Sequence, residues 1–269
     1  MENEFEVEFK VGEEVEIKLE YEEEFEVNLT EREVELEYEV EFDSILEFID
    51  ANNNGLYDKG EEVSVYELDG AEFTPINYTT EVTLNNVTEH VITTQTTDGI
   101  FKVTLHVVGD FANIEGEVVR PTEIKIDLEI NNYNYTNETS KLALKVKIES
   151  VMETEEEKKV GDVIEKVEIK SGNYTGFFSW EKEVLVDKVE KPVLSTSLAE
   201  DPEEASKELY LIYERGNSIA HDPKIGIVTE LIPTIATPDF TFLYLAIVGI
   251  VVVGIIVVIH YESLKISTG

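Results

Sequence analysis

The chain of 269 residues carries 59 acidic and 21 basic side chains, a formal charge of −38, and no cysteine. These numbers exclude a disulfide-stapled mini-protein, a cysteine-ligated zinc or iron–sulfur protein, and a basic nucleic-acid binder. With 42% apolar and 9% aromatic residues the chain can still build a core. The acidity is mostly Glu, 47 residues against 12 Asp. That composition is of thermophile type and points to an archaeon-like or thermophilic prokaryotic source.

Residues 1–42 hold 18 Glu against Lys10, Lys18 and Arg32. Four series of apolar residues recur at every second position: Phe5 to Phe9, Val15 to Tyr21, Phe25 to Leu29, and Val34 to Phe42. Glu favours helices, but only the strand period gathers these apolar residues on one side. Short breaks at Val11-Gly12, Glu22–Glu24 and Thr30–Arg32 predict an antiparallel meander whose outer face is a wall of Glu. Like charges on neighbouring strands destabilise one another, so this face is expected to attract divalent ions or a cationic protein or envelope component.

The segment from Asp50 to Glu61 has the spacing of a twelve-residue oxygen cage. Asp50, Asn52 and Asn54 stand at positions 1, 3 and 5, Gly55 allows the sharp turn, Leu56 offers its carbonyl, and Asp58 and Glu61 complete the set. The expected ligand is Ca²⁺, held with modest affinity because only three of these groups carry formal charge. Strands are expected on both sides, at Ile45–Ile49 and Glu62–Leu68, so the loop is not part of a helix pair that opens as a switch. The pattern DxNxNGxxDxGE resembles the calcium loops of dockerin modules and of calcium-binding B-type repeats in cell-surface adhesins. About twenty residues carry the resemblance, and the duplicate loop of a dockerin is missing. It implies calcium clamping two strands of a surface sandwich.

Further strands are predicted at Thr80–Leu84, Glu89–Thr96, Ile100–Val108, Glu123–Ile130, Lys141–Ser150, Val163–Lys170, Phe177–Val186 and Glu208–Tyr213. A turn is expected at Asp201–Lys207. The fold class is therefore all-β: an antiparallel β-sandwich ectodomain over residues 1–228, either one sandwich or two packed end to end. N-x-S/T sequons occur at Asn28, Asn77, Asn86, Asn134, Asn137 and Asn173, six of the 15 Asn. All precede the apolar C-terminal run, and they favour an exterior ectodomain.

Residues 229–239, with Pro233 and Pro238, read as an extended stalk. From Phe242 to Ile259 eighteen consecutive residues carry no charge. They cover roughly 27 Å as a helix, close to the hydrocarbon thickness of a bilayer, so residues 240–260 are expected to be one transmembrane helix. Residues 261–269 form a short tail. The N-terminus has neither a basic n-region nor an apolar h-region, so no signal peptide is expected in this chain.

His90, His106, His221 and His260 lack chelating spacing, and no nucleophile elbow, zinc-protease, phosphate-loop or dinucleotide motif is present. Trp180 is expected to be a core aromatic rather than a sugar platform. The resulting expectation is a calcium-stabilised protein of the cell membrane, single-pass and not an enzyme, with an adhesion, interaction or envelope-structural role. Two alternatives are a membrane-tethered carbohydrate-binding or glycoside-hydrolase accessory protein, and a tail-anchored cytoplasmic protein.

Overall fold

The computed structural model describes the backbone of residues 2–27, 30–150, 155–160, 163–171, 174–197, 206–229, 243–246 and 253–262. Side chains are described over 4–23, 35–150, 166–170, 174–197 and 207–228. In chain order the strands are β1 (Glu2–Val11), β2 (Glu16–Val27), β3 (Thr30–Phe48), β4 (Glu62–Glu67), β5 (Asn77–Val82), β6 (Thr88–Gln95), β7 (Phe101–Val108), β8 (Ala112–Ile114), β9 (Glu117–Val119), β10 (Glu123–Asn131) and β11 (Lys141–Ser150). There follow β12 (Glu155–Val160), β13 (Val163–Ser171), β14 (Tyr174–Ser179), β15 (Glu183–Val186), β16 (Val189–Pro192), β17 (Leu194–Thr196), β18 (Ser206–Tyr213), β19 (Ser218–His221), β20 (Lys224–Thr229), β21 (Leu243–Ala246) and β22 (Val253–Glu262).

The fold is all-β with antiparallel sheets. One sheet runs β17-β18-β11-β3-β2-β1-β22-β21, with β4 also pairing β3. The second runs β12-β13-β14-β20-β10-β19-β15-β16. Strands β19 and β20 lie end to end against β10, while β7, β6 and β5 extend from it. A single apolar cluster draws on both sheets, from Phe5, Ile17, Tyr38 and Leu144 on one side to Leu105, Ile126, Phe178 and Ile225 on the other. The small hairpin β8-β9 packs Ala112, Ile114 and Val119 on Val108.

The period-two pattern sorts the N-terminal residues as expected. Phe5, Val7 and Phe9 are buried between partly exposed Glu4, Glu6 and Glu8. The break expected at Glu22–Glu24 does not occur, because Tyr21 and Phe25 are four residues apart and the alternation keeps its phase. The phase does change at Asp43. Lys145 pairs with Ser44 and Val146 with Phe42, so Asp43 is an extra residue in β3. Before this bulge Leu36, Tyr38, Val40 and Phe42 face the main core. After it Ile45 faces that core, whereas Leu46 and Phe48 turn to the opposite face and join Tyr57, Ala143, Tyr210 and Ile212.

The expected strand Phe177–Val186 resolves into β14 and β15, which have no common neighbour in the sheet. Trp180, between them, is partly buried against the main core, 5.5 Å from Phe178. The stalk residues 230–239 and the turn expected at Asp201–Lys207, up to residue 205, lie outside the described residues. So do residues 240–242 and 247–252 of the expected membrane helix, and the side chains of the whole of 240–260. The backbone of β21 and β22 is placed as a hairpin along the edge of β1. No helix among the described residues is long and apolar enough to cross a membrane.

Tyr38 ties the two sheets together. Its wholly buried hydroxyl faces the carbonyls of Gly226 (2.8 Å) and Phe177 (3.0 Å) and accepts the Gly226 N–H (2.9 Å). Burial holds its pKa far above the ordinary tyrosine value, so the hydroxyl remains a donor. The approach of the ring needs Gly176, while Gly226 is hemmed in by other neighbours. A Cβ on Gly176 would lie 2.8 Å from Tyr38 Cε1, and one on Gly226 would lie 2.8 Å from the Thr122 carbonyl oxygen. Tyr38→Phe should cost about 1–3 kcal/mol in urea unfolding, because it leaves these backbone groups unpaired. Gly176→Ala should cost a similar amount by overpacking, about 1–3 kcal/mol. Unchanged unfolding midpoints would remove Tyr38 from this role.

Candidate metal centre

The loop between β3 and β4 begins where the Asp43 bulge has turned Leu46 and Phe48 outward. Tyr57 fills the resulting apolar patch, 5.4 Å from Phe48 and 4.9 Å from Tyr210. Leu56 and Leu194 pack at its margin. The loop closes through Ile49 N to Glu61 O (3.1 Å) and Glu61 N to Asp58 O (3.1 Å).

The six expected ligand residues lie in one loop. Asn53 and Gly55 have φ of 58° and 83°, the left-handed conformation that curls the backbone. Asp50 Oδ2 accepts the Gly55 N–H (2.9 Å). Glu61 reaches back across the ring, accepting Ala51 N–H at Oε1 (2.9 Å) and Asp58 N–H at Oε2 (3.2 Å). Asn52 and Asn54 accept the N–H groups of Asn54 and Leu56 at 3.0 and 2.7 Å. Their amide nitrogens both donate to Asp58 Oδ2, at 2.8 and 2.9 Å.

Asp50 Oδ1 is buried and has no hydrogen-bond partner. Glu117 Oε2, which also lacks a hydrogen bond, has Lys224 Nζ at 2.8 Å. A buried carboxylate oxygen left unpaired costs about 1–3 kcal/mol or more, so a cation or water suits this position. Lys141 Nζ lies 3.5 Å from the other oxygen, Oδ2.

Among the described residues two groups bring three carboxylates within 4.8 Å of one another: Glu20, Glu22 and Glu35, and Glu115, Asp127 and Asp222. The loop is not one of them, since amide and backbone donors separate Asp50, Asp58 and Glu61. The second group already holds a cation. Lys125, 1% exposed, ion-pairs with Asp127, with Glu115 (2.9 Å) and with Asp222 (3.7 Å). His106 continues this network, with Nδ1 2.5 Å from Glu89 and Nε2 2.9 Å from Asp127. Ionised carboxylates only accept, so both ring nitrogens must carry protons and the ring is an imidazolium. Burial alone would lower its pKa, but the bonds to Asp127 and Glu89 outweigh burial and raise it. For Asp127 the bonds from His106 and Lys125 outweigh burial and hold its pKa below the usual value.

The other described histidines are structural. Burial pushes His221 down to about 4. Its Nε2 donates to the Glu181 carbonyl (3.0 Å), which leaves Nδ1 to accept from Tyr213 OH (2.9 Å). His90 Nδ1 pairs with Tyr78 OH at 2.7 Å. His260 has no described side chain. Of the sequons, Asn77, Asn86 and Asn134 are exposed and Asn137 is partly buried, while Asn28 and Asn173 lie outside the described residues.

The acidic face has two halves. Around Lys10 and Lys18 the charges are paired, Lys10 with Glu16 and Lys18 with Glu37, both at 2.7 Å. Toward the other end Glu4 sits opposite Glu22, Glu6 opposite Glu20, and Glu22 opposite Glu35. Burial, followed by repulsion from Glu20, Glu4 and Glu8, raises the pKa of Glu6. The combined Glu6→Gln and Glu20→Gln variant should therefore be more stable than the wild type at low salt, by about 0.5–1 kcal/mol, with the gain fading at high salt. A loss of stability at low salt would contradict this repulsion.

His106→Gln should show a different pH profile from the wild type. The stabilisation from a raised histidine pKa is complete below the unfolded value of about 6.5 and is lost as pH rises through the folded pKa. The wild type should lead by about 1–3 kcal/mol near pH 6 in denaturant unfolding, and the lead should shrink at alkaline pH. A lead independent of pH would show that His106 is not charged in the fold. No protein-family model matches the chain, and no curated protein matches its sequence.

Proposed function

We propose that the chain is a calcium-stabilised β-sandwich protein of the cell surface, anchored by residues 240–260 as one membrane helix, with an adhesive or envelope-structural role. The observation that supports it most is Asp50 Oδ1, buried without a partner in a loop whose residue spacing is that of a calcium cage. Asp50, Asn52, Asn54, the Leu56 carbonyl, Asp58 and Glu61 would hold the ion. The ion would supply the positive charge for which the amide donors on Asp58 now substitute. Because the loop roofs the Leu46–Phe48–Tyr57 cluster, an ion there would fix β3 to β4 and bind the folded chain only.

An anchor at 240–260 follows from the uncharged run. In a bilayer a helix satisfies every backbone group internally, whereas outside one the same need is met by strand pairing along β1. The exposed sequons Asn77 and Asn134 are consistent with an exterior ectodomain.

Calcium at a hundredfold over its dissociation constant stabilises a folded protein by about 2.7 kcal/mol. For a domain of this size that should raise the melting temperature of the full chain in nanodiscs by about 5–11 °C over chelator. Asp50→Ala should abolish the rise. Absence of both a shift and a heat of binding would sink the metal reading. Release of the chain from vesicles at alkaline pH would separately sink the anchor.

A further inference from the structure

The strand that leads to the C-terminal run leaves the sandwich at a defined end. Gly226 of β20 pairs with Glu123, the first residue of β10, and Thr229 pairs with Tyr174, the first residue of β14. Thr122 fastens this exit: its carbonyl accepts Ile227 N–H (2.9 Å) and its hydroxyl donates to Ile227 O (2.7 Å). Val107 pairs with Ile124 and Val108 with Glu89, so the end of β7 and the start of β6 lie at the same end of the sheet.

Large apolar side chains are exposed there. Leu84 is 101% exposed, Val82 70% and Phe111 57%. Leu84 is at the β5-β6 turn and Phe111 follows β7, and the two loops are joined by a bond from Asn85 Nδ2 to Phe111 O (2.5 Å). The turn is held in shape by Thr83 N to Val87 O (2.9 Å) and Val87 N to Thr83 Oγ1 (3.1 Å). Val87 packs on the Val108–Ala112–Ile114–Val119 cluster, so a small core supports the apolar tip.

We propose that Leu84 and Phe111 dip into the interface of the bilayer that anchors the chain. This rests on the anchor reading above. Only residues 230–239 separate Thr229 from the run, a tether that reaches at most roughly 35 Å when extended. A short tether holds the exit end near the lipid at high effective concentration, so two apolar side chains suffice where they could not recruit a free protein. The chain's charge of −38 selects a zwitterionic surface over an anionic one. The same placement requires the Asn86 sequon, two residues from Leu84, to carry no glycan.

The absence of cysteine makes the test direct. Full-length Leu84→Cys, labelled with an environment-sensitive fluorophore and reconstituted in phosphatidylcholine vesicles, should be quenched at least about twofold by spin-labelled lipid. Val189→Cys, labelled likewise, should not be. Val189 is 55% exposed and follows the Asp187–Lys188 turn, whose Asp187 N–H bonds Ser218 O at the opposite end of the sheet. An unquenched Leu84 label on a chain that resists alkaline extraction overturns the tip and leaves the anchor standing. A label that is shielded but unquenched means a protein or second copy covers the tip, and also overturns it. So does equal quenching at both positions, or a glycan on Asn86 of the native protein. Extraction of the chain overturns the anchor, and the tip with it.

Discussion

One extra residue in the longest strand governs the arrangement of the rest. Asp43 breaks the pairing of β3 with β11, and every side chain beyond it changes face. Without the bulge Leu46 and Phe48 would enter the main core and Ile45 would leave it. With it, a second apolar patch forms on the outer face of the sheet, and the loop after β3 must fold back to cover that patch. The twelve-residue loop is thus held over hydrophobic ground. Asp43 is itself well held: Lys147, Ser44 and Lys145 outweigh its burial and keep its carboxyl ionised.

The phase change also moves Glu47 to the inner side, wholly buried. There it accepts the N–H groups of Thr136 and Asn137 (2.9 Å each), the Thr136 hydroxyl (2.8 Å), and the Ser140 hydroxyl. These bonds outweigh burial and lower its pKa. A charge that is buried but fully hydrogen-bonded contributes little net stability, yet removing its partners would be costly. Glu47 and Lys125 share this property, and the Tyr38 hydroxyl is a neutral buried group whose loss of partners is costly in the same way. They favour one packing of the two sheets over others that would bury the same apolar area.

Much of this was legible in the alternation of residues 1–42, because the core-facing series obeys a single period and Glu fills the rest. The joining of the second and third series was legible in principle, since four is an even spacing. The Asp43 bulge was not, because Asp-Ser between apolar residues looks the same whether the strand continues or shifts. In β10, Ile124, Ile126, Leu128 and Ile130 announce the inner face, and Lys125 falls on the outer one, as the pattern demands. Its burial comes from elsewhere: the Glu115 carboxylate between β8 and β9 reaches Lys125 from a turn whose strands are only three residues long. The calcium spacing could be read from the chain, but the unpaired Asp50 oxygen required coordinates.

The position of β20 bears on how the molecule would carry load. A protein fixed at its C-terminal run and held by something beyond its far end is pulled through Thr229, along the axis of that strand. Hydrogen bonds between antiparallel strands lie across that axis. Those from β20 to β10 on one side and to β14 on the other would be strained together, in shear, instead of peeling open one by one. The Thr122 clasp on Ile227 sits where the force enters. An exit through the middle of a sheet, flanked on both edges, is a mechanically strong way to leave a sandwich.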